Sequence, residues 1–400
     1  MLWTTLAAAL TTLTIVIPSG SAWATDRSTI YEWGEPWGLA HSSHTYPGPT
    51  PVQGVPGSTV QISTSNSTSY ALTKEGQVWA WGAGEAGALG NGTAPKFSES
   101  PVRVEFPKGV TIASLPSPMP FDTGMAIDSR GHVWGWGSNV DGSLCVKGDS
   151  LKRPQRLPFS RVTLASGAGG HALYLAGGRL YACGQNADGE LGNGSTHSSQ
   201  RPAQVVGLPH QAVTTLVSSW QDSGALLASG QFYDWGYNAA DQLGNGRTAN
   251  SATPVHVDLP SKVRQVSMGG SSAANGQTIA ILKDGSVWNW GSNVWGQLGE
   301  GGKSKTSGPV TVKVPPGVSF ALVDSGGATT YGIDKTGAVW SWGQNNVGEL
   351  GTSHRGPSDV PLATGLVMTC VSSTAWNVEG WRQPKGIGVG CNTSRDEVRS

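Results

Sequence analysis

Along the chain, short apolar runs alternate with glycine-centred polar turns, and no stretch sustains the 3.6-residue spacing of an amphipathic helix. A unit contains a short apolar strand such as Tyr70-Ala-Leu72 or Ile279-Ala-Ile281. A turn ending in glycine then reverses the chain, as in Lys74-Glu-Gly76, Ser129-Arg-Gly131, Lys283-Asp-Gly285 and Lys335-Thr-Gly337. Glycine supplies the positive φ that such hairpins need. An aromatic strand follows and ends in aromatic-x-Trp-Gly. This ending occurs at Tyr31-Glu-Trp-Gly34, Trp79-Ala-Trp-Gly82, Trp134-Gly-Trp-Gly137, Tyr233-Asp-Trp-Gly236, Trp288-Asn-Trp-Gly291 and Trp340-Ser-Trp-Gly343, with Tyr181-Ala-Cys-Gly184 as a variant. Next comes a loop closed by Gly-x-Leu-Gly, as in Gly87-Ala-Leu-Gly90, Gly189-Glu-Leu-Gly192, Gly296-Gln-Leu-Gly299 and Gly348-Glu-Leu-Gly351, whose lone leucine reads as a buried pin.

Pro-Val segments (Pro101-Val102, Pro254-Val255, Pro309-Val310) and Val-Ser strands (Val217-Ser218, Val266-Ser267) complete each unit. The motif glycines recur at spacings of 48, 55, 47, 52, 55 and 52 residues, and an eroded eighth copy, Gly388-Val-Gly390-Cys-Asn392, follows. Eight ends bracket seven units of about four strands each. The pattern predicts an all-β fold, a seven-bladed β-propeller of about 51-residue repeats over residues 25–392, with a short tail at 393–400. Trp81, Trp136, Trp235, Trp290 and Trp342 are then wedges between blades.

Composition narrows the function. Acidic and basic residues balance at 26 each and charged residues are only 13%, so the basic stripe that nucleic-acid binding requires is missing. Glycine (58) and tryptophan (17) are both abundant, which suits tight turns between aromatic strands and disfavours a helical bundle. Residues 1–24 read as a secretory signal. Their apolar stretch from Leu6 to Ile17 is broken by Pro18-Ser19-Gly20 and followed by the small-x-small site Ala22-Trp23-Ala24, although no Lys or Arg precedes it. A secreted, monomeric chain with no membrane segment after cleavage is expected. Its four cysteines suit two disulfides, with Cys145–Cys183 and Cys370–Cys391 preferred because each pair joins neighbouring parts of the repeat.

The order small-residue loop, Ala-Leu, x-x-Gly, Val-Trp-x-Trp-Gly, Asn and Gly-x-Leu-Gly resembles the RCC1 repeat, named for the regulator of chromosome condensation. The resemblance covers roughly residues 30–392 and implies a seven-bladed propeller closed by strands from the two chain ends. Tyr31–Gly34 and the strand at 386–392 compete for the closing position. The family's founding member is a nuclear exchange factor for a small GTPase. The expected export and the missing basic tail argue against carrying that activity over. A secreted RCC1-like inhibitor of β-lactamases is the nearer parallel in compartment and architecture.

No catalytic constellation emerges, and nothing calls for a metal or a cofactor. Gly82-Ala-Gly84-Glu-Ala-Gly87 matches G-x-G-x-x-G but runs into Leu89-Gly90 rather than into a helix that could face a phosphate. His171 falls in a small-residue loop where other repeats hold Ser69, Thr278 and Thr330, so no histidine ring forms. Hairpin logic does place the loop entering each apolar strand and the loop leaving each aromatic strand at one end of the ring. Residues that break the repeat collect there: Trp220, Asp222, Trp376 and Phe121 in entry loops, and Trp37, Tyr237 and Trp295 in leaving loops. Aromatics on a loop face suit a protein partner; the alternative is that they cap blade ends or cover the channel. The expected function is a secreted, non-catalytic binder of another extracellular protein, for instance an enzyme inhibitor. Cell-wall carbohydrate is the rival ligand, and nucleotide exchange the third reading.

Overall fold

The computed structural model describes residues 15–18, 28–34 and 46–367, apart from 57, 58, 66, 271, 273, 274, 304–307 and 347. Three strands open the chain, β1 (Ile15–Pro18), β2 (Ser28–Gly34) and β3 (Tyr46–Pro51), in a sheet of order β1-β2-β3. Six four-stranded antiparallel sheets follow, each built from four consecutive strands. Blade I is β4 (Thr59–Thr64), β5 (Thr68–Thr73), β6 (Val78–Ala83) and β7 (Phe97–Arg103). Blades II to VI occupy residues 112–156, 162–204, 213–256, 263–311 and 320–367.

The first strands of neighbouring blades converge. Gln61 Nε2 donates to the Leu115 carbonyl (2.7 Å), Gln265 Nε2 to that of Val323 (2.8 Å), and Ser267 Oγ to Asp324 Oδ1 (2.6 Å). The blades therefore radiate from an axis lined by their first strands, which is a β-propeller. The count differs from the expected seven four-stranded blades: six are present among the described residues. The copy at Tyr31–Gly34 forms β2, which has only one strand before it and one after it in its sheet. That sheet reaches back into residues 15–18, inside the stretch expected to be a signal. It packs where a blade preceding blade I would, with Ile30 and Val52 against Ala71 and Trp81. The eighth copy, the tail and the Cys370–Cys391 pair lie outside the described residues.

One device repeats at the seams. Trp81, Trp136, Trp235, Trp290 and Trp342 are fully buried. Each of the last four lies against the glycine that ends the preceding blade's x-Leu-Gly loop: Gly90 on Trp136, Gly192 on Trp235, Gly244 on Trp290 and Gly299 on Trp342. The indoles of Trp136 and Trp235 also donate to the x residue of that loop, Ala88 (2.9 Å) and Glu190 (2.8 Å). Burying an indole with its N–H satisfied contributes both area and direction.

The seam between blades II and III departs from this. Cys183 stands at the tryptophan position and Cys145 at the final-glycine position, and the two form a disulfide (Cα–Cα 5.5 Å). Cys145 keeps the left-handed φ of the glycines it replaces, +56° against +62° at Gly90. The indole's hydrogen bond passes to Tyr174, whose hydroxyl donates to the x residue Ser143 (2.7 Å). At Tyr174's register the other blades hold Ala71, Ala126, Ala225, Ala280 and Gly332. Tyrosine and disulfide together fill the space of one tryptophan.

Candidate functional site

Main-chain bonds build the loop end of the ring. In every described blade, the residue after the motif glycine donates its N–H to a carbonyl of the entry loop. The pairs are Ala83 to Ser67, Ser138 to Asp122, Gln185 to Gly170, Tyr237 to Gln221, Ser292 to Gly276 and Gln344 to Ala328, at 2.7–3.0 Å. Entry and leaving loops thus share one end, as the hairpin logic requires. The motif glycine makes this possible. Gly137, for example, has φ +90°, and a Cβ there would collide with the Asp122 carbonyl. Five of the six described leaving loops are then pinned from within, while blade I has Gly84 at the pinning position. Asn139, Asn186, Asn238, Asn293 and Asn345 accept the N–H of the leucine five residues on, at 2.9–3.2 Å, and those leucines are fully buried. Sequence reading found the leucine pin but assigned its asparagine no role.

On this rim the structure unites two of the expected partner-binding residues. Phe121, from the entry loop of blade II, and Trp220, from that of blade IV, meet edge-to-face with ring centroids 4.5 Å apart. Both are half-buried. They reach each other across the two-glycine entry loop of blade III, where the Gly169 carbonyl accepts the Phe121 N–H (2.9 Å) and a Cβ on Gly169 would strike the Trp220 carbonyl. Carboxylates surround the pair. Asp122 follows Phe121 in the chain. Exposed Asp141 accepts from Gln185 Nε2 (2.8 Å), and a Cβ on Gly170 would lie 2.7 Å from its Oδ2. Asp188 accepts from Gln221, the neighbour of Trp220 (2.7 Å), and from Asn250 (2.7 Å). Burial, reinforced by the charge of Glu85, pushes the Asp122 carboxyl above the ordinary range, and burial does the same at Asp188. Tyr237 and Trp295 stand half-buried in the leaving loops of blades IV and V. Trp37 and Trp376 lie outside the described residues.

Asp222 is not a rim residue. It pairs with Gly236 as the first residue of its strand and is 2% exposed, with Oδ1 beside Gly276 of blade V. Asp234 lies diagonally across the same face. Burial drives both carboxyls well above the usual range; Glu190 adds to the rise at Asp222, and Asp222 to that at Asp234. His171 also differs from expectation. The register sets it level with Thr68, Thr123, Asp222, Gln277 and Thr329, one residue away from the positions read from sequence. It is fully buried, its Nε2 bonds the Ser223 hydroxyl of the next blade (2.8 Å), and burial lowers its pKa to about 4. The G-x-G-x-x-G run ends in a three-residue 3-10 turn, Glu85–Gly87.

A family model described as the regulator of chromosome condensation (RCC1) repeat matches residues 75–115, 177–226, 229–274 and 284–333, and a second model of the same description matches 59–88. Among curated proteins, the Ultraviolet-B receptor UVR8 of Arabidopsis thaliana is 29% identical over 285 residues, covering 68% of this chain and 62% of the receptor. The E3 ubiquitin-protein ligase HERC2 of Homo sapiens is 27% identical over 286 residues, 69% of this chain but 6% of the ligase. The chain thus spans less than two thirds of either relative. Among solved structures, Prp20p from Saccharomyces cerevisiae superposes with a TM-score of 0.70 at 21% identity, covering 84% of this chain and 85% of that one.

Proposed function

The chain belongs to the regulator of chromosome condensation (RCC1) repeat family, and from that premise we propose that it is a non-catalytic binding propeller that holds another protein against its loop rim. The observation that carries this reading is the Phe121–Trp220 pair, assembled from two non-adjacent blades over a third. An aromatic pair from two non-adjacent blades, half-exposed on a rigid main-chain frame, has the character of an interface anchor. Protein ligands are a known use of the scaffold: the Prp20p structure is described together with its binding to Gsp1p and histones. We place the activity outside the cell on the Cys145–Cys183 disulfide, which suits an oxidising compartment. Restraint of an extracellular enzyme is the form of binding we favour there.

The test is affinity capture from the native medium with the full chain as bait, beside a variant carrying Trp220→Ala, Tyr237→Ala and Trp295→Ala. Losing one good anchor costs about 2 kcal/mol, so the variant should retain its partner at least about tenfold more weakly. Undiminished retention refutes the rim as the binding face. Retention of both proteins on wall polysaccharide instead would favour the carbohydrate reading.

A further inference from the structure

We propose that the seam between blades IV and V is a metal site for a hard divalent cation of the calcium class, held by Asp222, Asp234 and Thr278 together with the Gln242 carbonyl. Three seams of the same ring can be compared place by place. Register makes Asp222, Gln277 and His171 equivalent, and likewise Asp234, Asn289 and Ala182. The residues opposite them in the next blade are Thr278, Thr330 and Ser223, and the x residues of the x-Leu-Gly loops are Gln242, Gln297 and Glu190. At the seam of blades V and VI these places form an amide network. Gln277 Nε2 donates to Thr330 Oγ1 (3.0 Å), Thr330 Oγ1 to the Gln297 carbonyl (3.1 Å), and Asn289 Nδ2 to that carbonyl (3.0 Å) and to Gln277 Oε1 (3.3 Å). At the seam of blades III and IV, His171 Nε2 and Ser223 Oγ share a hydrogen bond (2.8 Å), and Ser223 Oγ donates to the Glu190 carbonyl (2.9 Å).

The seam of blades IV and V has carboxylates where its neighbour has amides. Asp222, Asp234 and Thr278 are only 0–2% exposed. Ser223 and Trp235 reach back to Glu190 of blade III, so Asp222 and Asp234, which alternate with them, face blade V. Thr278 pairs with Trp290, which lies against Gly244 of blade IV, so its hydroxyl faces the two carboxylates. Among the described residues, Asp222 Oδ2, both carboxylate oxygens of Asp234 and Thr278 Oγ1 have no hydrogen-bond partner. At the amide seam the corresponding side chains leave over only Asn289 Oδ1. Buried polar atoms normally find partners, and a hydroxyl facing two carboxylates with none of those bonds made offers an all-oxygen ligand set. Such a set suits a hard cation, and two carboxylates balance a divalent charge. Calcium tolerates irregular geometry, whereas magnesium demands an octahedron and keeps several waters, for which a buried seam has little room. No three His, Cys, Asp or Glu side chains gather as a metal cluster among the described residues, so hydroxyl and carbonyl oxygens must complete this set. Affinity then belongs at the weak end, about 10⁻⁴–10⁻³ M. Trp220 stands two residues before Asp222, so the cation would brace the loop that carries half of the rim's aromatic pair.

The experiment is isothermal titration of the chelator-treated full chain with calcium chloride, beside urea unfolding in calcium and in chelator. Calcium should bind and should raise stability, and magnesium should bind more weakly. Asp222→Gln with Asp234→Asn copies the amide seam of blades V and VI; this variant should fold and lose the bound calcium. Thr278→Val should weaken calcium binding about tenfold. In the cation-free chain the two carboxyls hold their protons more tightly than usual, so Asp234→Asn relieves a burden in chelator but removes a ligand in calcium. It should therefore abolish the difference in stability between the two conditions. No binding by the parent chain at millimolar calcium, or equal binding by the parent and the amide variant, overturns the inference, as does magnesium binding as tight as that of calcium. If the amide variant unfolds, Thr278→Val carries the test, and an unchanged calcium affinity there overturns the inference as well.

Discussion

Asp222 and Asp234 show how one residue can make the fold sensitive to pH. Their pKa values are raised, so the native state holds their protons more tightly than the unfolded chain does. Their contribution is therefore fully favourable below the unfolded value near 3.8 and is lost as pH rises through the native pKa. Blade V offers a natural remedy at the position of Asp234. There Asn289 Nδ2 donates to the Gln297 carbonyl (3.0 Å) and to Gln277 Oε1 (3.3 Å). Asp234→Asn should reproduce those bonds, raise stability at neutral pH by about 1–3 kcal/mol, and flatten the alkaline side of a stability–pH curve measured by urea unfolding. His171 acts with the opposite sign. Its lowered pKa of about 4 means that stability is lost as pH falls below the unfolded value of 6.5. Gln277 at the equivalent position donates Nε2 to Thr330 Oγ1 (3.0 Å), a bond to the next blade like that between His171 Nε2 and the Ser223 hydroxyl. His171→Gln should keep that bond between blades and abolish the acid loss between pH 6.5 and 4 in the same measurement. Neither burial was legible in the sequence. A one-residue shift in register exchanges the faces of a strand, and the loop lengths before Asp222 and His171 do not fix that register.

Within single elements, legibility followed backbone constraint. The motif glycines and buried tryptophans could be read because no other residue combines positive φ with a carbonyl pressed against Cα, or fills an indole-sized space. The exchange at the seam of blades II and III was half legible. The cysteines stood out, but Tyr174 looked like an ordinary strand residue, because its significance lies in the small residues it replaces. That exchange predicts a compensated set. Replacing both cysteines by serine should cost roughly 2–4 kcal/mol, and Tyr174→Ala alone about 3–5 kcal/mol. Cys145→Gly, Tyr174→Ala and Cys183→Trp together should restore most of that stability by rebuilding a tryptophan seam. Denaturant unfolding with and without reductant gives the readout: reductant should lower the stability of the parent chain, and the rebuilt seam should keep near-parent stability with no response to it.

Over the whole molecule, the repeat announced a propeller because its period exceeds any single supersecondary unit and recurs in register. The number of blades was less legible. Tyr31-Glu-Trp-Gly34 has the motif, but a motif counts aromatic strands, whereas a blade also needs three partners, and β2 has two. The contact between Phe121 and Trp220 was invisible in the sequence for a related reason. It joins blades II and IV, and only the very short Gly169-Gly170 loop between them lets the two rings meet.

Six carbonyls, each holding the start of the next loop, give the crown of this ring a shape that depends on no particular side chain at its tips. Such a surface can be relettered without being rebuilt. Substitutions at positions such as Asp141 or Val140, both exposed, alter what is recognised while leaving the architecture that presents them untouched. One framework can in this way pass from ligand to ligand by changing only its outermost alphabet.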